Sequence, residues 1–501
     1  MRIVAACVAL SFASLALPSE PSFDPWAWIV WGRELLLLDL DTTGGPSWKP
    51  LPVALTAVFA PFSVIDEGIP AALWLAVART GALLSIVLAF RVARRLAGPG
   101  RWTGIGAGAI AAGALAFAPQ WLRYAAHGNE VPMAVALMLW GLDRHLDGRR
   151  AQALVALFLT CLLRPEAFPF LAVYATWLWR AEPGLRRLTA GLAIALPALW
   201  LVPDWLGSGD PLGAGRKASS EPHWSLSVRD RPWLAALERA DRISGLPLQL
   251  GALVAATFAI RRRDRVVLVL AGIAVAWVGL VVAMTEAGFS GSTRYFVPAV
   301  VIASILTGVA AAWTVEAAAR AARVATARLG RRVDRGARGG RAPSATAPKS
   351  PPSFAGRPAA IGAALVAAAA VVALSGPWID TRLAQLDRQI DLSGELAGLQ
   401  ASLPAALDRA GGAERVVAFG PPSVNRAFQT RLAWETRLPL LDVESAGAGD
   451  GLIFSVPGSP MRGVLPPAAL AAATTGGPPL AQAGLWRVRR RASTATASLG
   501  R

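Results

Sequence analysis

The sequence is dominated by a series of apolar runs, most of which are long enough to approach or cross the hydrocarbon core of a membrane. A spanning helix needs roughly 20 apolar residues for about 30 Å of hydrocarbon. Hydrophobic residues make up 54% of the 501 residues and charged residues only 16%, against roughly 25% charged in soluble domains. We therefore predict an α-helical polytopic membrane protein with about 11 transmembrane helices. The predicted spans are 3–18, 69–90, 103–119, 131–146, 150–163, 167–179, 188–206, 246–260, 266–285, 295–315 and 359–377.

Two apolar runs have a second interpretation. Met1-Arg2 followed by an apolar run to Leu17 is typical both of a retained span and of a cleaved signal peptide. The run 53–65 contains Pro61, so it either joins the second span or re-enters the membrane.

The net charge of +18 follows a topological pattern. With the N-terminus inside, the inner connections hold 24 Lys and Arg, whereas the short outer segments 120–130 and 286–294 hold one each. Cytoplasmic loops carry such an excess of positive charge, so we predict a multi-pass protein of the cytoplasmic (inner) membrane with a cytoplasmic N-terminus. Nucleic-acid binding is not predicted. The inner connections are 91–101, 143–150, 180–187, 261–265 and 316–358, and the break at 164–166 must face outward.

Composition divides the chain into four parts. The region after the last span has strand-like runs at 415–419, 451–456 and 484–488, with helical stretches around 380–403 and 424–435. Short apolar runs of this kind, bounded by turn residues, favour a small α/β domain. The predicted parts are a transmembrane module at 1–316, a basic flexible cytoplasmic linker at 317–358, the last transmembrane helix at 359–377, and an extracytoplasmic α/β domain at 378–501.

Asp24 is the strongest candidate for chemistry in the first outer loop. It precedes an amphipathic stretch, Trp26–Leu38, whose tryptophans suit a helix lying in the plane of the membrane. A carboxylate held at the bilayer surface can act as a general base toward an acceptor hydroxyl. The alternative is a helix N-cap, because Asp before Pro25 is a common helix start.

Three cations lie at predicted outer membrane borders or in a break between spans. Lys49 and Arg294 suit either a lipid phosphate or snorkelling toward the headgroups, and Tyr295 beside Arg294 suits the interface. Arg164 and Glu166 interrupt an apolar region. Charges at membrane depth face a cavity or a partner, so these two either line a site or form an internal ion pair.

A second group of polar residues lies where the fourth span begins. Arg123, His127 and Glu130 cluster there, and Glu130 either caps the helix or binds sugar hydroxyls and supports the base. Arg79, in the middle of a span, is expected to pair with a carboxylate inside the bundle. The histidines show no metal-ligand spacing, and the absence of a Walker loop disfavours ATP-driven transport.

The motifs, in order, resemble the GT-C superfamily of polytopic glycosyltransferases, which use polyprenyl-phosphate sugars as donors. FDPWAWIVWGREL is similar to their first outer loop, and WKPLP to the Lys-Pro-Pro-Leu element of aminoarabinose and protein mannosyltransferases. GNEVPMAVAL, LLRPEAFPFL and STRYFVPA resemble elements of bacterial arabinofuranosyl- and mannosyltransferase-like members. The resemblance covers residues 1 to about 315. WKPLP lacks the second consecutive proline, Asp24 stands alone where many members have two acidic residues, and the loop 207–245 has no counterpart.

The resemblance implies transfer of a sugar from a polyprenyl-phosphate donor to a glycan, lipid or protein acceptor at the outer face of a bacterial cytoplasmic membrane, with inversion at the sugar carbon. The partners it implies are membrane lipid, the lipid-linked donor and the acceptor. No metal ligands are predicted from the residues, and metal dependence is left open. By resemblance, Asp24 is the catalytic base, Lys49, Arg164 and Arg294 contact the donor phosphate, and Glu130, His127, Arg123, Tyr295 and Glu166 bind the sugar or acceptor.

Two other functions fit the composition: a transporter or flippase of lipid-linked sugars, and a non-catalytic membrane scaffold that binds partners through residues 378–501. A transporter would be expected to show inverted repeats, which the sequence lacks. An enzyme requires Asp24, Lys49, Glu130 and Arg294 to meet at one outward-facing cavity.

Overall fold

The fold is seen in a computed structural model that describes residues 2–220, 225–337, 356–444, 451–456 and 478–490, without the side chains of 329–337 and 356–375. The first fourteen helices form a bundle. They are α1 (Arg2–Ala13), α2 (Phe23–Leu36), α3 (Pro50–Phe59), α4 (Ile69–Ala97), α5 (Arg101–Ala116), α6 (Trp121–Ala126), α7 (Val131–Leu146), α8 (Arg150–Cys161), α9 (Phe168–Ala181), α10 (Arg186–Ser208), α11 (Gly213–Ala218), α12 (Pro232–Arg262), α13 (Arg265–Glu286) and α14 (Thr293–Ala337).

Every predicted span coincides with a helix, and the chain is a multi-pass membrane protein. Five of the described helices are long and apolar enough to cross a bilayer by themselves: α4, α10 with the turn before it, α12, α13 and α14. Helices α7, α8 and α9 have only 16, 12 and 14 residues, because Gly148 and the Arg164-Pro165 break interrupt the apolar sequence. The prediction of about 11 spans is therefore confirmed in part.

The connections separate into two sets at opposite ends of the bundle. At one end, basic residues of the predicted inner connections pair with acidic residues of their neighbours. At the other end, backbone hydrogen bonds join predicted outer segments. The ion pairs include Arg91–Asp143 at 3.1 Å, Arg95–Asp147 at 2.5 Å and Arg262–Glu316 at 3.5 Å, and the backbone bonds include Ser22 N to His127 O and Leu226 N to Ser290 O.

Arg79 has a different partner from the one predicted. Its Nη1 donates to the carbonyl and hydroxyl oxygens of Ser14 at 2.8 and 2.9 Å, and its Nη2 donates to Ala126 O at 3.3 Å. No carboxylate among the described residues contacts it. The expected ion pair is wrong because the last carbonyls of a helix are free acceptors with partial negative charge, and they satisfy the buried guanidinium.

The predicted flexible linker is helical where the structure describes it. Residues 317–337 continue α14, because Ala and Arg are strong helix formers. Residues 338–355 of the linker lie outside the described residues.

The region beyond the bundle combines helices with a small sheet. Helix α15 (Gly356–Arg409) is continuous. It therefore crosses the predicted boundary between the last transmembrane helix, which is expected to end at 377, and the extracytoplasmic domain, which is expected to begin at 378. The four-stranded sheet has the order β1-β2-β4-β3, with β1 parallel to β2 and the other pairs antiparallel. The remaining elements are α16 (Gly412–Ala418), β1 (Ser423–Val424), α17 (Arg426–Thr436), β2 (Leu452–Ser455), β3 (Ala481–Ala483) and β4 (Trp486–Arg490).

Most elements predicted in this region are present. The helices around 380–403 and 424–435 and the strands in 451–456 and 484–488 are confirmed. The strand predicted at 415–419 is wrong, because those residues belong to α16 or follow it directly. A five-residue apolar run does not distinguish a strand from a buried helical turn.

The tryptophans of helix α2 lie inside the protein. Trp26, Trp28 and Trp31 are fully buried, and they belong to one apolar cluster that continues through α17 to Trp486 in the sheet. The prediction that these tryptophans lie at the membrane interface is therefore wrong, whereas a helix in the plane of the membrane stays a prediction. The tryptophans instead join the bundle to the C-terminal region, which packs against the outer-loop end.

Candidate functional site

Asp24 lies in the first turn of α2, and its side chain points toward another segment. Arg294 Nη1, at the start of α14, donates to Asp24 Oδ2 at 2.6 Å. The N-cap position belongs to Ser22, without a side-chain cap, so the N-cap interpretation of Asp24 is wrong. The side chain of Asp24 is 16% exposed and that of Arg294 27%, which leaves the pair partly accessible at the outer-loop end.

Glu130 holds two cations from different segments. Lys49 Nζ donates to Glu130 Oε1, and Arg164 Nη1 donates to the same oxygen at 3.0 Å. Arg164 Nη2 also donates to Glu166 Oε1 at 2.9 Å. All four side chains are buried. The ion pairs of Glu130 and Arg164 thus join three segments: the loop before α3, the start of α7, and the break between α8 and α9.

Tyr295 joins these two groups into one site. Its ring centroid lies 5.0 Å from Arg164 Cζ and 5.8 Å from Arg294 Cζ, within the range of cation–π attraction. Three cations and three carboxylates from five segments therefore meet at one end of the bundle. We call these six residues the charge cluster: Asp24, Lys49, Glu130, Arg164, Glu166 and Arg294.

The charge cluster retains unused hydrogen-bonding capacity. Glu130 Oε2 and Glu166 Oε2 are buried acceptors, and Arg164 Nε and Arg294 Nε are buried donors, all without a protein partner among the described residues. Buried polar atoms are normally hydrogen-bonded. The charge cluster therefore has unpaired donors on its arginines and unpaired acceptors on its glutamates, and it can bind a polar, anionic group.

Glu130 is a permanent anion at neutral pH. Burial alone would raise its pKa, but the charges of Lys49 and Arg164 outweigh burial and lower the pKa to about 2. A carboxyl with so low a pKa is a poor proton acceptor. Glu130 can therefore orient the two cations, whereas Asp24, closer to solvent, is the better placed base.

The structure does not bring Arg123 and His127 into contact with the charge cluster. The side chain of Arg123 is exposed on α6. His127 is 2% exposed, its Nδ1 bonds to Glu20 O at 2.8 Å, and its backbone carbonyl accepts from Ser22 N at 3.0 Å. His127 thus holds the segment that leads into Asp24.

The buried ring of His127 is expected to stay neutral throughout the physiological range. Burial, the largest cause, lowers its pKa to about 4, against the weaker opposing effect of the Glu20 carbonyl. An NMR titration should show its ring protons shifting near pH 4 rather than near 6.5. Because the unfolded chain binds this proton more tightly, His127 should also cost stability progressively as pH falls from about 6.5 toward 4. A ring that titrates near 6.5 would contradict the buried position.

Several contacts of this site lay beyond sequence reasoning. Trp28 presents its ring 5.4 Å from Lys49 Nζ, and Thr430, Arg431 and Trp434 of α17 pack along α2. No local pattern could have linked α17 to a loop some 400 residues earlier. Among the described residues, no group of three His, Cys, Asp or Glu is arranged to hold a metal ion.

Comparison with known proteins defines the fold. No model of a protein family matches the chain, and no curated protein sequence matches it. Two solved structures are similar over nearly the whole length. The crystal structure of ArnT from Cupriavidus metallidurans in the apo state is 18% identical, covers 98% of each chain and has a TM-score of 0.51. The structure of ArnT from the same organism bound to undecaprenyl phosphate is 17% identical, covers 98% of each chain and has a TM-score of 0.52.

The likeness at this low identity concerns the fold alone. The described residues of the chain have an ArnT-like fold. The sugar, the acceptor and the role of each residue are argued from the site itself.

Proposed function

We propose that this protein transfers a sugar from a polyprenyl-phosphate donor to an acceptor hydroxyl. The observation that carries the proposal is the charge cluster, in which side chains from five segments between Asp24 and Arg294 meet at one end of the bundle. A similar fold is known in ArnT bound to undecaprenyl phosphate, which supports a lipid-linked donor. The acceptor is a glycan, a lipid or a protein.

Lys49, Arg164 and Arg294 are the proposed contacts of the donor phosphate. Each of them is paired with a carboxylate in the structure, so the charge cluster is formally neutral before a ligand binds. Guanidinium and ammonium groups form strong, short hydrogen bonds with phosphate oxygens. Cations held in place by Glu130 and Glu166 stabilise the charge that develops on the leaving phosphate without having to reorganise.

Asp24 is the proposed general base. Arg294 occupies Oδ2, so Oδ1 is available to the acceptor hydroxyl. In the reaction, the acceptor oxygen forms a bond to the anomeric carbon while its proton passes to Asp24. The bond between that carbon and the phosphate oxygen breaks, and the polyprenyl phosphate leaves with the electron pair. Attack opposite the leaving group inverts the sugar carbon, and positioning the reactants supplies much of the acceleration.

The proposed orientation puts the charge cluster at the outer face of the cytoplasmic membrane and the N-terminus in the cytoplasm. The end of the bundle opposite the cluster carries the basic connections, including Arg91, Arg95 and Arg262. Such connections remain in the cytoplasm. Accessibility of single cysteines to a membrane-impermeant thiol reagent in intact cells tests this: Ser219 replaced by cysteine should react and Arg263 replaced by cysteine should not.

Purified protein in liposomes, supplied with several polyprenyl-phosphate sugars and candidate acceptors, tests the function. We expect release of polyprenyl phosphate and formation of a glycosylated acceptor that depend on the protein. Replacement of Lys49 by Met should raise the KM for the donor about tenfold or more, the range for losing one charge-assisted contact. Movement of intact lipid-linked sugar across the bilayer without release would favour the flippase instead. Neither release nor movement would favour the scaffold.

A further inference from the structure

Helix α17 of the C-terminal region runs along α2, the helix that carries Asp24. Trp434 packs on Trp26 with ring centroids 6.0 Å apart, and Arg33 Nη1 donates to Trp434 O at 3.3 Å. These contacts cover Trp26, whereas Trp28 and Trp31 pack on Trp74 and Trp48. The first turn of α2 is therefore held by α17 as well as by the bundle.

Thr430 makes the contact nearest to Asp24. Its side chain is fully buried, and its Oγ1 donates to the backbone carbonyl of Phe23 at 2.9 Å. That carbonyl belongs to the peptide group that joins Phe23 to Asp24. Because the peptide group is planar, a hydrogen bond that fixes the direction of the carbonyl also fixes the nitrogen of Asp24.

Arg431 holds the segment before Asp24 from the same helix. Its guanidinium lies 4.2 Å from the ring centroid of Trp26 and 3.7 Å from Glu20 Oε2, while Glu435 on α17 accepts from it at 2.7 Å. On the other side, His127 Nδ1 bonds to Glu20 O. Residues 20–24 are thus held between the loop after α6 and α17.

We infer that Thr430, supported by Arg431, is a positioning residue for Asp24, so that the C-terminal region completes the active geometry. This inference rests on the proposed function. A general base must lie within hydrogen-bond reach of the proton that it accepts. Small displacements of a reacting group cost large factors in rate. Of the three proposed donor contacts, Lys49 and Arg164 lie on segments away from α17, and Arg294 is held at the start of α14. Loss of the Thr430 contact therefore acts on catalysis more than on donor binding.

Replacement of Thr430 by Val removes the hydroxyl and keeps the shape of the side chain. We expect kcat to fall about tenfold with the KM for the donor changed by less than about twofold. Thr430→Ser, which keeps the hydroxyl, should restore most of kcat. Hydrogen exchange of the backbone amides of residues 22–27, measured by mass spectrometry, should become faster in Thr430→Val and return toward normal in Thr430→Ser.

Thr436 provides a matched control on the same helix. It is also buried, but its Oγ1 donates to Leu432 O within α17 at 2.7 Å. Thr436→Val should leave kcat and the exchange of residues 22–27 unchanged. Equal kcat and equal exchange of residues 22–27 in the two Val variants would overturn the inference. So would a rise in the KM for the donor with kcat unchanged in Thr430→Val.

The exchange measurement separates failure of this inference from failure of the proposed function. If the wild-type protein transfers no sugar, the proposed function fails, and the hydrogen bond from Thr430 to Phe23 then has no catalytic role. If the wild-type protein is active but exchange at residues 22–27 is the same in Thr430→Val, the inference fails while the function stands.

Discussion

Asp24→Asn is expected to lower the rate of sugar transfer about 10³-fold, within the roughly 10²- to 10⁴-fold that a general base contributes. Asparagine has nearly the same shape and can still accept the hydrogen bond from Arg294 Nη1 that Asp24 Oδ2 accepts at 2.6 Å. It cannot take a proton from the acceptor. The KM for the donor should change little, because the phosphate contacts are made by other side chains. Initial rates of polyprenyl phosphate release at saturating donor measure this effect.

Asp39→Asn is the matched control for that experiment. Asp39 lies just beyond the end of α2 in the same loop, and its side chain is exposed. The same change of charge there should leave the rate within about twofold, since exposed charges act weakly at a distance. Full activity of Asp24→Asn, with normal expression and stability, is the outcome that rules out Asp24 as the base.

Glu130→Gln is expected to destabilise the protein by about 3–5 kcal/mol, the usual effect of removing one partner of a buried ion pair. Glu130 is completely buried, and its Oε1 accepts from both Lys49 and Arg164. Without the carboxylate, two buried cations lose their shared anion. The free energy of unfolding in mixed micelles, or the midpoint of thermal unfolding, measures the loss.

Two further variants test the physical cause of that loss. Glu67→Gln removes the partner of Arg437, an ion pair on the surface with 52% and 77% exposed side chains, and should cost less than about 1 kcal/mol. Combining Glu130→Gln with Lys49→Met removes one of the stranded cations. The double variant should therefore be more stable than the sum of the two single effects. Simple additivity would mean that the two side chains are not coupled.

Glu130 also contributes to the pH dependence of the free energy of unfolding. The pKa of Glu130 is lowered from an ordinary value of 4.5 to about 2, since Lys49 and Arg164 outweigh the opposite effect of burial. Its contribution to stability is therefore complete above pH about 4.5 and is lost as pH falls toward 2.

The sequence alone was enough to predict a multi-pass membrane protein, the positions of its helices along the chain and the separation of the connections into two sets. Each of these depends on properties that lie along the chain: the length of an apolar run and the number of basic residues in the loop beside it. It also singled out all six members of the charge cluster, because a charge at a membrane border or inside an apolar region is costly and needs a reason.

Which of these charges meet depends on how distant segments pack in three dimensions. Asp24 and Arg294 are separated by 270 positions, and no local pattern specifies that their helices begin side by side, or that exposed Arg123 is left out. The tryptophans of α2 show the same limit. Their spacing is as compatible with a membrane surface as with a protein core. The choice depends on rings elsewhere in the chain, because Trp434 packs on Trp26, Trp74 on Trp28 and Trp48 on Trp31. Packing between remote segments removes apolar side chains from water and gives each buried charge a partner. Both effects depend on the assembled fold, so no single segment of the sequence shows them.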